Sequence, residues 1–87
     1  MGGIRCFEDI DAWKNARRLT AAIYEATSIS AYKRDFGLID QTRRAAVSVM
    51  ANIAEGYGRK TDKDFANFLY TSKSSALEVT SHLYVAL

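Results

Sequence analysis

The sequence of 87 residues has no proline and a single cysteine. Strand-rich domains with many tight turns usually use proline, so its absence favours helices. The one cysteine, Cys6, excludes an internal disulfide and fits a reducing compartment. The longest uncharged run, residues 45–54, is well short of the ~20 residues that a membrane helix needs. Because the amino-terminal segment also lacks the apolar stretch of a signal peptide, we predict a cytoplasmic protein without membrane contact.

Neither sign of charge dominates the composition. Twelve basic and ten acidic residues give a formal net charge of +2, which is too small to indicate a nucleic-acid-binding protein by itself. The hydrophobic fraction of 48% and the charged fraction of 25% are normal for a globular chain and argue against disorder. A chain of this length forms one small domain with a thin core, so we predict a single domain over residues 1–87.

Three segments carry apolar residues at the spacing of an α-helix. They predict helices over residues 9–28, 36–57 and 62–86, and therefore an all-α, up-down antiparallel helical bundle. Asp9 and Thr61 are predicted to cap the first and third helices. The third pattern ends on apolar residues without a stop signal, and three short helices bury their faces poorly alone. We therefore expect a missing fourth helix or a partner chain; the alternative is a plain three-helix bundle.

The segment "GYGRKT", residues 56–61, raises the question of a phosphate-binding loop. A Walker loop needs glycine, four residues, then Gly-Lys-Ser/Thr after a strand. Here Ile53 stands at the position of the first glycine, Arg59 replaces the lysine, and a helical pattern precedes the loop. The segment is better explained as a helix end, with Gly56 or Gly58 in the left-handed conformation and Thr61 starting the next helix.

No combination of residues predicts a catalytic or metal site. Glu78 and His82 are one helical turn apart, but His82 is the only histidine, so the two are predicted to be a solvated surface pair. Ser48 and Cys6 have no neighbouring histidine that could activate them. We therefore predict a protein that is not an enzyme and that needs neither a metal nor a cofactor.

Basic residues come in neighbouring pairs, which is the first feature that points to a function. In this number they are usually solvated and interleaved with acids, but as phosphate contacts they would predict nucleic-acid binding. The predicted contacts are Arg17, Arg18, Arg43, Arg44, Arg59, Lys60 and Lys63, and the pair Lys33 and Arg34 belongs to the same pattern. Assembly of several copies would strengthen such binding, because phosphate contacts add.

A polar stripe along the second helix is the second feature. Its members share one line beside the apolar face, and they are Gln41, Arg44, Ser48, Asn52 and Glu55. The stripe is either ordinary surface or an inter-helix hydrogen-bond network that fixes the register of helices or subunits. In the second case Arg44 is expected to reach Ser48, and Glu55 to pair with Arg59.

Nearly the whole chain resembles the bacterial four-helix-bundle proteins encoded in intervening sequences of large-subunit ribosomal RNA genes. The resemblance lies in "FEDIDAWKNARRLTAAIYEAT" and in "FGLIDQTRRAAVSVMANIAEGYGRKTDKDFANFLYTSKSSALEV", and the block "NIAEGYGR" is its most specific part. Met50 departs from the family, which often has proline there. Family members usually continue into a fourth helix that this sequence lacks.

The resemblance implies a bundle that assembles into a ring, commonly a pentamer. The family is also similar to the accessory variability determinant of diversity-generating retroelements, a basic pentameric bundle that partners a reverse transcriptase and binds nucleic acid. We therefore expect a self-associating scaffold that binds RNA or DNA without sequence preference, with a reverse transcriptase as a further partner. The competing expectation is a pure protein–protein interaction module of unknown process with no nucleic-acid role.

Overall fold

The computed structural model describes residues 4–28 and 35–86 of the chain. A short 3-10 turn, Phe7–Asp9, precedes three α-helices. These are α1, Asp11–Thr27; α2, Phe36–Tyr57; and α3, Asp62–Ala86. The all-α prediction is confirmed for the described ranges, and the helix bounds predicted from the sequence agree with these to within about two residues. No helix in the described ranges combines the length and the apolar character that a bilayer crossing requires.

The helix starts show one correct cap and one error. Thr61 caps α3 as predicted, because its Oγ1 accepts a hydrogen bond from the Asp64 N–H at 3.1 Å. Asp9 does not cap α1. It ends the 3-10 turn, where its carboxylate accepts a hydrogen bond from the Arg5 backbone N–H at 2.9 Å, and α1 begins two residues later. That hydrogen bond is the main reason why the pKa of Asp9 lies below its usual value.

The end of α2 also differs from the prediction. Gly58 has φ −76° and ψ −4°, which is the right-handed region, and no described glycine has a positive φ. The Gly58 N–H donates to the carbonyl oxygens of Ala54 and Glu55 at 3.3 and 3.1 Å, so the helix closes without a left-handed residue. The expected left-handed glycine is therefore wrong, and the reason for a glycine at position 56 must be sought in packing.

Gly56 lies where α2 and α3 are too close together to accommodate a side chain. It is buried, and a Cβ atom added to it would lie 2.7 Å from Phe68 Cβ and 2.9 Å from the Phe65 ring. Both distances are shorter than carbon atoms tolerate without movement. The absence of a side chain at this position therefore lets the first turns of α3 pack directly on the last turn of α2.

The core is built on α2, which lies between the two other helices. One cluster of buried residues consists of Ile23, Ala45, Ala46 and Val79, and a second consists of Ala16, Val49 and Ile53. Two buried hydroxyls strengthen these contacts. Thr20 Oγ1 lies 3.1 Å from the Ala46 carbonyl oxygen, and Ser72 Oγ donates to the Val49 carbonyl oxygen at 2.8 Å. Each outer helix is thereby tied to the backbone of α2.

An open groove separates α1 from α3, whose described backbones do not approach one another closely. It has a volume of about 430 Å³. Its lining is mainly apolar and includes Ala12, Leu19, Val49, Ile53, Leu69 and Ala76. A four-helix bundle places its remaining helix in such a position, between two diagonal helices. The expectation of a further helix or a partner chain stays a prediction.

Candidate functional site

The middle of the polar stripe connects α2 to α3. Asn52 Nδ2 donates to the carbonyl oxygen and to the Oγ of Ser48 at 2.8 and 2.9 Å. Ser75 Oγ, on α3, donates to Ser48 Oγ at 2.9 Å. All three side chains are half-buried. Because these polar groups are satisfied inside one chain, the network fixes how α2 lies against α3.

The two ends of the stripe face solvent instead. Gln41 is exposed, and Arg44 Nε pairs with Asp40 Oδ2 at 2.9 Å while both side chains stay largely exposed. The expected contact from Arg44 to Ser48 is wrong, since a carboxylate one turn earlier takes the guanidinium. Glu55 pairs with Arg59 at 3.0 Å, as the spacing predicts. The stripe is therefore a helix-register network at its centre and ordinary surface at its ends.

Arg43 joins α2 to the carboxyl end of α1. Its Nε donates to Thr27 Oγ1 at 2.8 Å, and its Nη2 lies 3.5 Å from the Tyr24 carbonyl oxygen and from Ser28 Oγ. The guanidinium also stands 4.6 Å from the centre of the Tyr24 ring. A cation at this position satisfies the last carbonyls of α1 and complements the helix dipole. Arg43 is half-buried, and its contacts within the chain hold α2 against the end of α1.

Arg59 is engaged at the other end of the molecule. Besides its pair with Glu55, its guanidinium lies 4.8 Å from the centre of the Phe68 ring. Lys60 and Lys63, close by, are exposed, but Asp62 and Asp64 alternate with them. The charge of this tip is therefore nearly balanced.

The predicted phosphate contacts do not form one patch. Arg43 lies in the first half of α2 and Arg59 follows its end, and the helix from Arg43 to Tyr57 alone is about 21 Å long at 1.5 Å per residue. Arg17 and Arg18 lie on the middle of α1, away from both positions. Lys33 and Arg34 lie outside the described residues. A single copy of the chain thus presents separate basic positions instead of a continuous basic surface.

A cluster of three exposed bases lies on α1. Lys14, Arg17 and Arg18 border a shallow concavity of about 740 Å³ beside Trp13, and one acid, Glu8, also lines it. We call these three bases the α1 basic face. Lys14 is absent from the predicted contacts, although its helical spacing from Arg17 and Arg18 places it on the same side. Trp13 forms one wall and is held edge-to-face against Phe7, with ring centres 5.2 Å apart.

His82 is not the solvated partner of Glu78 that the spacing predicts. It is half-buried, and its Nδ1 lies 3.2 Å from Thr42 Oγ1, which donates to the Leu38 carbonyl oxygen at 2.7 Å. The direction of the Thr42–His82 hydrogen bond is set by the histidine tautomer. Packing of α3 on α2 brings the two residues together across forty positions of sequence.

Metal binding and the reactivity of the Cys6 thiol can be assessed for the described residues. These residues contain no group of three or more His, Cys, Asp or Glu side chains that could hold a metal ion. Local desolvation raises the pKa of the Cys6 thiol, and the carboxylates of Asp9 and Glu8 raise it further. A thiol with a raised pKa is a poor nucleophile near neutral pH, since the thiolate is the reactive form.

Large apolar side chains remain on the surface, and three of them share one side of α3. Tyr70, Leu77 and Tyr84 are 70%, 63% and 77% exposed and recur every seven residues. Val85 is 70% exposed beside Tyr84. We call Tyr70, Leu77 and Tyr84 the α3 stripe. Each member therefore leaves well over half of its surface in water within the described part of the chain.

Comparison with known proteins gives one match. The family model described as "23S rRNA-intervening sequence protein" matches residues 8–87. Searches of curated proteins and of solved structures gave no significant match. The matched range includes all three α-helices, the helix-register network, the α1 basic face and the α3 stripe.

Proposed function

Because the chain belongs to the family of 23S rRNA-intervening sequence proteins, we propose that it is a non-enzymatic helical scaffold that self-associates. The α3 stripe is the observation that carries this proposal. Contiguous exposed apolar surface marks sites of protein interaction, and each large aromatic side chain contributes roughly 150–250 Å² when buried. A side chain in this position stays in water unless another surface covers it. The groove between α1 and α3 adds a second apolar surface that one copy leaves open.

A ring of copies, commonly a pentamer, is the assembly that the family resemblance supports. Ring formation would place the α1 basic face of each copy at a regular spacing around the assembly. Separate basic positions would then act together on one long polyanion. This geometry joins the scaffold role to nucleic-acid binding, since affinity rises with the number of phosphates contacted.

Sedimentation equilibrium tests self-association directly. We expect a weight-average mass that is a multiple of the 9.7 kDa chain at micromolar concentration, because burial of the exposed apolar surface favours association. The concentration series also gives the number of copies. A mass of one chain across the whole series, up to roughly 100 μM, would contradict the proposal.

We further propose that the assembled protein binds RNA or DNA through the α1 basic face. Three exposed bases within little more than one helical turn supply the positive field. Binding of this kind releases counterions and reads no sequence. Of the remaining predicted contacts, Arg43, Arg44 and Arg59 are engaged within the chain, while Lys60 and Lys63 are exposed but alternate with Asp62 and Asp64.

A gel-shift titration across salt concentrations is the test of nucleic-acid binding. We expect retention at low salt that weakens steeply with salt. Arg17→Ala should flatten the slope of log affinity against log salt by about 0.9 for each copy of Arg17 that contacts duplex DNA. Arg5→Ala is the matched control, since it removes the same charge from an exposed site outside α1.

The result also separates the competing functions. If the assembled protein did not retard nucleic acid in the gel at low salt, nucleic-acid binding would be excluded. The competing function, a pure protein–protein interaction module, would then remain. If Arg17→Ala and Arg5→Ala gave equal slopes of log affinity against log salt, the α1 basic face would be excluded as the nucleic-acid contact. A reverse transcriptase as partner rests on the family resemblance alone, and copurification of the two proteins after coexpression would test it.

A further inference from the structure

The α3 stripe follows the heptad spacing of a coiled-coil seam. Tyr70, Leu77 and Tyr84 occupy one position of the repeat, and Ser74 and Ser81 lie between them at alternating steps of four and three. Residues with this spacing face one another when two helices pack along their length. The small serines let two helix axes come close, while the larger residues supply the apolar contact. Tyr70 and Tyr84 are fourteen residues apart, which is about 21 Å of helix.

Two charged residues border the seam on opposite sides. Lys73 and Glu78 are both exposed, and neither forms an ion pair within the described part of the chain. They are five residues apart, so they point about 140° away from each other and cannot pair within one helix, where partners are three or four apart. In the heptad repeat Lys73 occupies position g and Glu78 the following position e. These two positions meet between neighbouring helices that run parallel.

We propose that α3 packs in parallel against α3 of a second copy of this chain, with Lys73 facing Glu78 of that copy. The inference rests on the proposed self-association and names the surface that produces it. A second copy is the occupant that fits, because each seam carries both members of an ion pair, and the parallel orientation of an identical helix brings them together. In an antiparallel pair, positions g face g and positions e face e, so Lys73 and Glu78 do not meet. Packing of the α3 stripe of one copy on the α3 stripe of another closes as a two-fold pair, whereas in a ring the stripes of all copies would have to meet around one central axis.

Sedimentation equilibrium on the full chain and five variants tests the contact. Leu77→Glu should raise the dissociation constant by at least about 100-fold, since it places a charge at the centre of the apolar seam. Phe36→Glu is the matched control: Phe36 is as exposed as Tyr84 but lies at the start of α2. Its affinity should equal that of the original chain. Far-UV circular dichroism checks that each variant stays helical.

Charge reversal tests the orientation. Lys73→Glu and Glu78→Lys should each raise the dissociation constant by about tenfold, because attraction turns into repulsion at each repeat of the contact. The double variant, K73E together with E78K, should return to within about twofold of the original affinity, since the exchanged charges meet again. Both single variants should lose their defect in high salt, where exposed charges are screened.

Three other outcomes would each contradict a different element of this proposal. Association of Leu77→Glu that equals that of Phe36→Glu would exclude the α3 stripe as the interface and leave self-association standing. Dissociation of Leu77→Glu with no effect of either charge reversal would exclude the parallel orientation. A monomeric original chain would end the proposed self-association and this contact together.

Discussion

Gly56→Val is expected to lower the free energy of unfolding by about 3 kcal/mol, at the upper end of the usual cost of overpacking. The added Cβ alone would lie 2.7 Å from Phe68 Cβ and 2.9 Å from the Phe65 ring, and valine adds two further methyl groups. Phe68 Cβ is attached directly to the backbone of α3, so relief requires movement of the helix. Valine is a slightly better helix former than glycine, but this gain of a few tenths of a kcal/mol is much smaller.

Chemical denaturation at one fixed protein concentration measures this effect, since association would otherwise shift the transition. For a chain of this size the change corresponds to a fall in melting temperature of roughly 12–24 °C. Gly37→Val is the matched control. A Cβ at Gly37 meets only Asp35 Oδ1 at 3.8 Å, which is an ordinary contact, so stability should change by less than about 0.5 kcal/mol. Equal stability of the two variants would contradict the close approach at Gly56.

Arg43→Ala is expected to lower the free energy of unfolding by about 2 kcal/mol, the usual range for hydrogen bonds to a charged group. The variant loses the bond to Thr27 Oγ1, the long contacts to the Tyr24 carbonyl and Ser28, and the stacking on the Tyr24 ring. These contacts connect α2 to the last turn of α1. Arg43→Lys should recover only part of the loss. The ammonium group of lysine keeps the charge but lacks the planar guanidinium fork that donates to several acceptors and stacks on an aromatic ring.

The adjacent Arg44 supplies the control for this prediction. Its pair with Asp40 is exposed, with side-chain exposures of 80% and 62%, so Arg44→Ala should cost at most about 0.5 kcal/mol. Denaturation curves of both variants decide the matter. A loss from Arg44→Ala as large as that from Arg43→Ala would show that net charge, and not the tie to α1, governs stability. The stability of these two variants also matters for the nucleic-acid test. Any loss of binding by Arg43→Ala has to be corrected for the fraction of the variant that is unfolded.

The helix bounds and the Thr61 cap could be predicted because they depend on neighbouring residues. Apolar spacing and a side-chain oxygen three residues before an N–H are local properties of the chain. The candidate site was predicted less completely. Arg43 and Arg44 look equivalent as a basic pair, yet one anchors α1 and the other faces water, since the rotation of α2 between its neighbours assigns their directions. Helical spacing would have placed Lys14 beside Arg17 and Arg18. It was missed because the prediction considered only basic residues that are adjacent in sequence.

Sequence alone determined that this chain is all-α, where its helices run, and that its last helical pattern ends on apolar residues without a stop signal. These properties follow from periodicity and capping, which need no partner element. Only the tertiary structure decided that Gly56 serves the approach of α3, that His82 meets Thr42, and that Ser48, Asn52 and Ser75 hold the helix register. Each of these depends on the distance and rotation between two helices. Contacts between residues remote in sequence set both quantities, and no local pattern encodes them.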